Sequence, residues 1–168
     1  MVAGFGNVLR GDDGFGVAVV RRLVQEAVPA GLELLDVGIG GTHLVQDLIA
    51  EPADGLVILD AIDRGLVPGT VVVLRPEVVD VTTLDVLERR DHLADMHYAT
   101  PERALMLARA MGVMPPATMM VGCQPVDAEA VGEELSHPVA RGVEQALVEV
   151  RQVVREMGLE WQVMRGGR

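Results

Sequence analysis

Gly4-Phe5-Gly6-Asn7-Val8-Leu9-Arg10-Gly11-Asp12-Asp13-Gly14-Phe15-Gly16 joins two kinds of hydrophobic pattern. Upstream, Val2–Phe5 is a compact apolar run that reads as a short buried strand ending at Gly6-Asn7. Downstream, Val17, Val20, Val24 and Ala27 recur at helical spacing until Pro29 stops the helix. A strand that passes through a glycine-rich turn into a helix is the first of several strand–helix alternations along the chain.

Working outward, Leu32–Val37 reads as a second strand, followed by Gly38, Gly40 and Gly41. Leu44, Val45, Leu48 and Ile49 give a short amphipathic helix closed by Pro52. Leu56–Leu59 is a third strand with an acid, Asp60, at its carboxyl end. Pro68-Gly69 is a turn, and Thr70–Leu74 is a β-branched strand ended by Pro76. From Pro76 to Tyr98 the pattern weakens into a charged stretch with a helical turn near Leu84–Leu87. Thr100-Pro101 supplies an N-cap and a first helical residue for a helix to about Met111, with Gly112 at its end. Thr118–Cys123 is another buried strand. Ser136 and Pro138 open the last helix, whose Val139, Val143, Ala146, Leu147, Val150, Val154 and Met157 form one stripe before Gly158.

This alternation indicates an α/β fold: a three-layer α/β/α domain over residues 1–168, with a five-stranded, mostly parallel, twisted sheet. Only the link from Leu59 to Thr70 lacks a helix, and about ten residues is short for a parallel crossover. The Thr70–Leu74 strand is therefore expected to run antiparallel, at an edge. The chain must then climb back, which returns His97, just ahead of Thr100, to the end where the parallel strands finish.

The 168 residues suit one domain, enough to hide roughly 70% of the surface an unfolded chain exposes. Hydrophobic residues make up 49%, which excludes a disordered acidic tail, and aromatics only 2%, so Val, Leu, Ala and Met must fill the core. The formal charge is −11, and all fourteen cations are Arg. An acidic balance argues against nucleic acid or anionic membrane as partner. No apolar run is long enough to insert into a membrane, and no signal peptide is visible. One Cys excludes a disulfide framework or CxxC metal site and fits the cytoplasm.

Ligands of open α/β sheets bind beyond the carboxyl ends of the parallel strands. Asp12 and Asp13, Asp60, and His97 with Asp95 nearby all reach that edge. Two carboxylates and an imidazole would form an O,O,N metal site with positions open for water or substrate; nickel, zinc and iron all suit it. Each residue also has a plain structural explanation. An acid before a helix is an N-cap or dipole partner, which covers one of Asp12 and Asp13 better than both. Asp60 can anchor a turn, and His97 can be a hydrogen-bonded surface imidazole. Convergence at one edge is what raises them together.

Other patterns fall away. Gly4-Phe5-Gly6-Asn7 is not a dinucleotide fingerprint, because Leu9 stands where the third glycine is needed. A phosphoacceptor receiver domain needs a lysine, and there is none. Cys123, at the end of a buried strand, reads as a small core hydrophobe. His43 follows Gly41-Thr42 at the same edge and can touch a ligand. His92 and His137 need only hydration or capping, Met119-Met120 fills core, and Glu133-Glu134 is a solvated run.

With these residues in view, the chain resembles the nickel–iron hydrogenase maturation endopeptidases. Gly4 to Gly16 resembles that family's amino-terminal signature. Asp36 with Gly38 to Thr42 resembles its glycine-containing loop, and Leu59-Asp60-Ala61 its acid at the third strand end. Gly122-Cys123-Gln124-Pro125, then Leu135-Ser136 and Pro138, resembles its closing pattern. The likeness runs from Gly4 to about Val154. Two features depart from it: the first strand looks about three residues short, as from a truncated start or a frayed strand, and Asp80–Asp95 is unusually charged.

The resemblance implies a cytoplasmic endopeptidase that removes the carboxyl-terminal extension of a nickel–iron hydrogenase large-subunit precursor after nickel insertion. It implies Asp13, Asp60 and His97 as catalytic and metal-binding residues, with His92 as the fallback for His97. The metal is then the nickel of the substrate, with zinc or cadmium as surrogates, and no permanent cofactor is expected. Backbone amides of Gly40, Gly41 and Thr42 are candidates for substrate contact or for donation to a developing oxyanion. The competing readings are a resident-zinc hydrolase with the same ligands and a non-catalytic nickel-binding chaperone.

Overall fold

The computed structural model describes residues 1–88 and 100–161. Five strands, β1 (Val2–Phe5), β2 (Leu34–Gly38), β3 (Gly55–Ala61), β4 (Val71–Leu74) and β5 (Ala117–Cys123), form one sheet in the order β2-β1-β3-β5-β4. β1 is parallel to both β2 and β3, and β3 is parallel to β5. β4 is antiparallel to β5 and lies at the edge, as the helix-free link predicts.

Strand periodicity sorts the core into two layers. Val2, Val57, Leu59 and Val121 face one side and pack against α1 (Phe15–Leu23) and the long last helix, α4 (His137–Glu156). Ala3, Phe5, Leu56, Ile58 and Met120 face the other and pack against α2 (Gly41–Ala50) and α3 (Pro101–Ala110). Aliphatic side chains dominate both layers, with Phe5 in one and Phe15 and Trp161 in the other. Met120 is buried and Met119 packs partly against the opposite layer, which accounts for the methionine pair as core.

The structure differs from the sequence expectation at helix ends. α1 stops at Leu23 rather than near Pro29, and Val24 is 64% exposed instead of continuing the apolar stripe. The amides of Gln25 and Glu26 bond three residues back, to Arg22 and Leu23, so the chain leaves the helix in tight turns before the proline is reached. Ile49 at the end of α2 is likewise 48% exposed. In the charged stretch a 3-10 turn covers Val81–Thr83, and residues 86–88 are helical. Asp85 accepts the amides of Leu87 and Glu88 while its own amide donates to the Glu88 carboxylate, a reciprocal cap.

Two glycines set how closely the first loop meets the sheet. Gly6 has φ +120°, and a Cβ there would strike the Asp13 carbonyl. A Cβ on Gly16 would strike the carbonyl oxygens of Leu59 and Phe5. Their absence of side chains lets the start of α1 rest directly on the ends of β1 and β3, which brings the Asp13 turn beside Asp60.

Candidate active site

The first loop is a 3-10 turn, Gly11–Gly14, running straight into α1. Its adjacent acids have different surroundings. Asp12 is 3% exposed; Oδ1 accepts the Ser136 amide at 2.7 Å, and Oδ2 accepts the Ser136 hydroxyl at 2.9 Å and the Val126 amide at 2.8 Å. Asp13 is half-buried, and its Oδ2 accepts the Asn7 amide at 2.7 Å. Neither side chain caps α1, whose N-cap is Gly14, so the N-cap explanation of this pair does not hold. Asp12 ties the first loop to the last; Asp13 is left at the rim.

Asp60 is the penultimate residue of β3, opposite Gly122 of β5. Its carboxyl is pushed well above the ordinary carboxylate range. Loss of water is the largest cause, the negative charges of Asp13 and then Glu102 add to it, and the Ala61 amide works against it. Asp13 and Asp60 therefore feel one another at the carboxyl edge, as topology predicts.

Glu102 was not singled out by the sequence. It is exposed in the first turn of α3, behind Thr100 and Pro101. A Thr-Pro helix start at the carboxyl edge was the available signal, since an acid in that first turn must lie near the strand ends. Gln124 was also missed as an individual. It is 6% exposed and binds the chain just after Asp60: Oε1 accepts the amides of Arg64 at 2.7 Å and Leu66 at 3.1 Å. Its Nε2 donates to Asp63 Oδ1 at 3.0 Å, the largest of the causes that hold the Asp63 carboxyl below its ordinary range.

His97, the predicted third ligand, lies outside the described residues, as do His92 and Asp95. Among the described residues no group of three His, Cys, Asp or Glu is placed to hold a metal ion. The described portion of the predicted set is the carboxylate pair.

Gly40, Gly41 and Thr42 open α2 at the same edge, with Gly40 as N-cap. The Gly40 amide is committed to the Val37 carbonyl at 2.9 Å and that of His43 to the Gly40 carbonyl at 2.7 Å. That removes Gly40 as an oxyanion donor and leaves Gly41 and Thr42, whose first-turn amides have no intrahelical acceptor. His43 is exposed, with its ring close against Gly40. Cys123 is fully buried beneath α4, and burial followed by the Asp12 charge pushes its thiol up to about 11. It behaves as core rather than as a nucleophile. Glu133 and Glu134 are exposed.

The sequence and fold of this chain have counterparts among known proteins. The HycI family profile, described as hydrogenase maturation protease, matches residues 17–153. The chain belongs to the hydrogenase maturation protease family. It is thus a peptidase. Among its relatives, the hydrogenase expression/formation protein HupD of Rhodobacter capsulatus is 35% identical over 161 residues, covering 95% of this chain and 73% of that protein. A putative hydrogenase maturation protease of Methanocaldococcus jannaschii is 29% identical over 157 residues, covering 90% and 96%. The hydrogenase maturating endopeptidase HybD from E. coli superposes with a TM-score of 0.74 at 30% identity, covering 99% of this chain and 98% of that one. The maturation protease HycI of Thermococcus kodakarensis, at 23% identity and a TM-score of 0.69, shares the fold. Among the described residues, no helix is long and apolar enough to cross a membrane.

Proposed function

We propose that this peptidase removes the carboxyl-terminal extension of a nickel-loaded nickel–iron hydrogenase large-subunit precursor, in the cytoplasm, and that Asp13 and Asp60 with His97 form the reacting site. What supports the proposal is membership of this family together with the position of Asp13 in the loop after β1 and of Asp60 at the end of β3, both at the carboxyl edge of the sheet. Two carboxyls at one edge, one of them held above its ordinary range, form a site whose charged form a divalent cation favours. The nickel belongs to the substrate; with it seated, the acids provide oxygen ligands and His97 a nitrogen ligand. Zinc and cadmium suit the same donors as surrogates.

Peptide hydrolysis needs an activated water, a polarised carbonyl and a proton for the leaving amine. The raised carboxyl of Asp60 brings it toward the range in which a group both takes and returns a proton. Asp13, whose Oδ2 accepts the Asn7 amide, stands close enough for its charge to act on Asp60. The amides of Gly41 and Thr42 at the start of α2 are donors for the substrate backbone.

The test is to incubate the protein with nickel-loaded and with nickel-free precursor and to weigh the large subunit by mass spectrometry. The loaded form is expected to lose the mass of its tail, the nickel-free form to stay intact, and Asp13→Asn to abolish the difference. Equal cleavage of both forms would refute nickel recognition. An intact product from both would refute the substrate assignment.

A further inference from the structure

The chain leaving β5 touches both acid-bearing loops. At its start, all four hydrogen-bonding positions of the Gln124 amide are filled: Oε1 by the amides of Arg64 and Leu66, Nε2 by Asp63 Oδ1 and by the Pro125 carbonyl at 3.2 Å. An amide saturated in this way cannot rotate without losing a bond. It fixes residues 63–66, directly downstream of Asp60. The Gln124 backbone adds to this, since its amide donates to the Thr70 carbonyl at 2.9 Å and its carbonyl accepts the Gly69 amide at 2.8 Å.

Farther along, the same chain closes on the first loop. Val126 and Ser136 hold the buried Asp12 carboxylate between them. Between those contacts the Gly11 amide donates to the Gly132 carbonyl at 2.6 Å, and the Gly132 amide donates to the Leu9 carbonyl at 3.0 Å. Arg10 and Glu129 add an exposed ion pair at 2.7 Å. Residues 124–136 thus form a strap with the Asp60 loop at one end and the Asp13 turn along the remainder.

We propose that Gln124 is a positioning residue that acts through this strap, and through Asp12 at its far end, to set the placement of Asp13 relative to Asp60. The proposal rests on the reading of these two acids as the reacting pair. Reacting groups must be held within a fraction of an ångström by neighbours that are themselves locked, and a fully bonded buried amide on one end of the strap and a buried carboxylate with three donors on the other meet that need.

The experiment compares wild-type protein with Gln124→Ala and Ser136→Ala, which cut the strap at opposite ends, and with Ser136→Thr, which keeps the hydroxyl. Two quantities are read: amide hydrogen exchange, and the separate kcat and KM for nickel-loaded precursor. Gln124→Ala is expected to speed exchange at Arg64 and Leu66, its direct partners, and also at Asn7, whose amide is held by Asp13. Its kcat is expected to fall roughly tenfold to a hundredfold, the cost of misplacing a reacting group, with KM within about twofold. Ser136→Ala is expected to show the same pattern, and Ser136→Thr to restore it. Faster exchange confined to Arg64 and Leu66 with unchanged kcat would reduce Gln124 to a local support of the β3–β4 loop and overturn the proposal. Should Gln124→Ala not fold, Gln124→Glu, which keeps an acceptor for Arg64 and Leu66 but loses the donation to Asp63 and Pro125, decides by the same readings. An Asp13→Asn variant that still cleaves would instead overturn the acid-pair reading, and Asn7 exchange would still judge the strap.

Discussion

Ser136, the residue that opens the last helix, gives both its amide and its hydroxyl to Asp12, at 2.7 and 2.9 Å, and makes no side-chain cap to its own helix. A serine in that position ordinarily accepts a bond from the helix it begins. Here the hydroxyl donates to a buried carboxylate instead, and the helix start becomes an attachment point for the first loop. Adjacent acids in one turn therefore divide their work, Asp12 holding the fold and Asp13 facing the rim.

Replacing Asp12 by Ala would leave three donors at a buried site without their acceptor. Hydrogen bonds to a charged group are worth about 1.5–3 kcal/mol each in mutational series, and such losses overlap within one site. Asp12→Ala is expected to lower unfolding stability by about 3 kcal/mol or more, read as a shift of the urea midpoint at constant slope. Wild-type stability in this variant would show that the carboxylate is dispensable to the join.

Gly16 is expected to tolerate no side chain. A Cβ there would strike two backbone carbonyls, on Leu59 and Phe5, and neither is the movable tip of a side chain. Gly16→Ala must then push α1 off the ends of β1 and β3, at about 2–3 kcal/mol or more. Thermal unfolding measures this, and catalysis should suffer beyond the stability loss because the same movement separates Asp13 from Asp60.

Cys123 should be inert. Its thiol is fully buried and titrates near 11, so the thiolate that alkylating reagents attack is scarce at neutral pH. Native protein treated with a maleimide at pH 7.5 is expected to keep its mass and its cleavage activity, whereas urea-unfolded protein should gain one label. Rapid labelling in the native state would mean that α4 lifts readily from β5.

The sheet was largely legible in the sequence because each strand is an apolar run bounded by Gly, Pro or an acid, and because one helix-free link forced β4 to turn back. β1 matches its expected bounds, Val2–Phe5. Helix ends were less legible. α1 ends where local turns take over at Arg22 and Leu23, and nothing in the spacing of Val17, Val20 and Val24 signals that. At the site, the motif marked Asp12 and Asp13 together but could not separate them. What separates them is Ser136, which lies 124 residues farther along the chain. Gln124 was visible only as part of a motif for the same reason, since its partners Arg64 and Leu66 come from another loop.

Asp60 is expected to oppose stability at neutral pH. Its carboxyl is raised in the folded protein by burial first and by the charges of Asp13 and Glu102 next. Between the ordinary carboxylate value and the raised one, the folded state binds more protons, and stability must fall as pH rises through that window. Below the ordinary value both states are protonated and the penalty vanishes. Asp60→Asn, which is neutral at every pH, should therefore unfold at a higher temperature than wild type at pH 7 in a chelating buffer. The gap should close as pH is lowered past about 4. The same variant should leave the nickel-loaded precursor uncut, a gain in stability coupled to a loss of function, which is the signature of a group held in an unfavourable place for its chemistry. A variant that is no more stable than wild type at pH 7 would show that burial and the neighbouring charges do not raise the Asp60 carboxyl in solution.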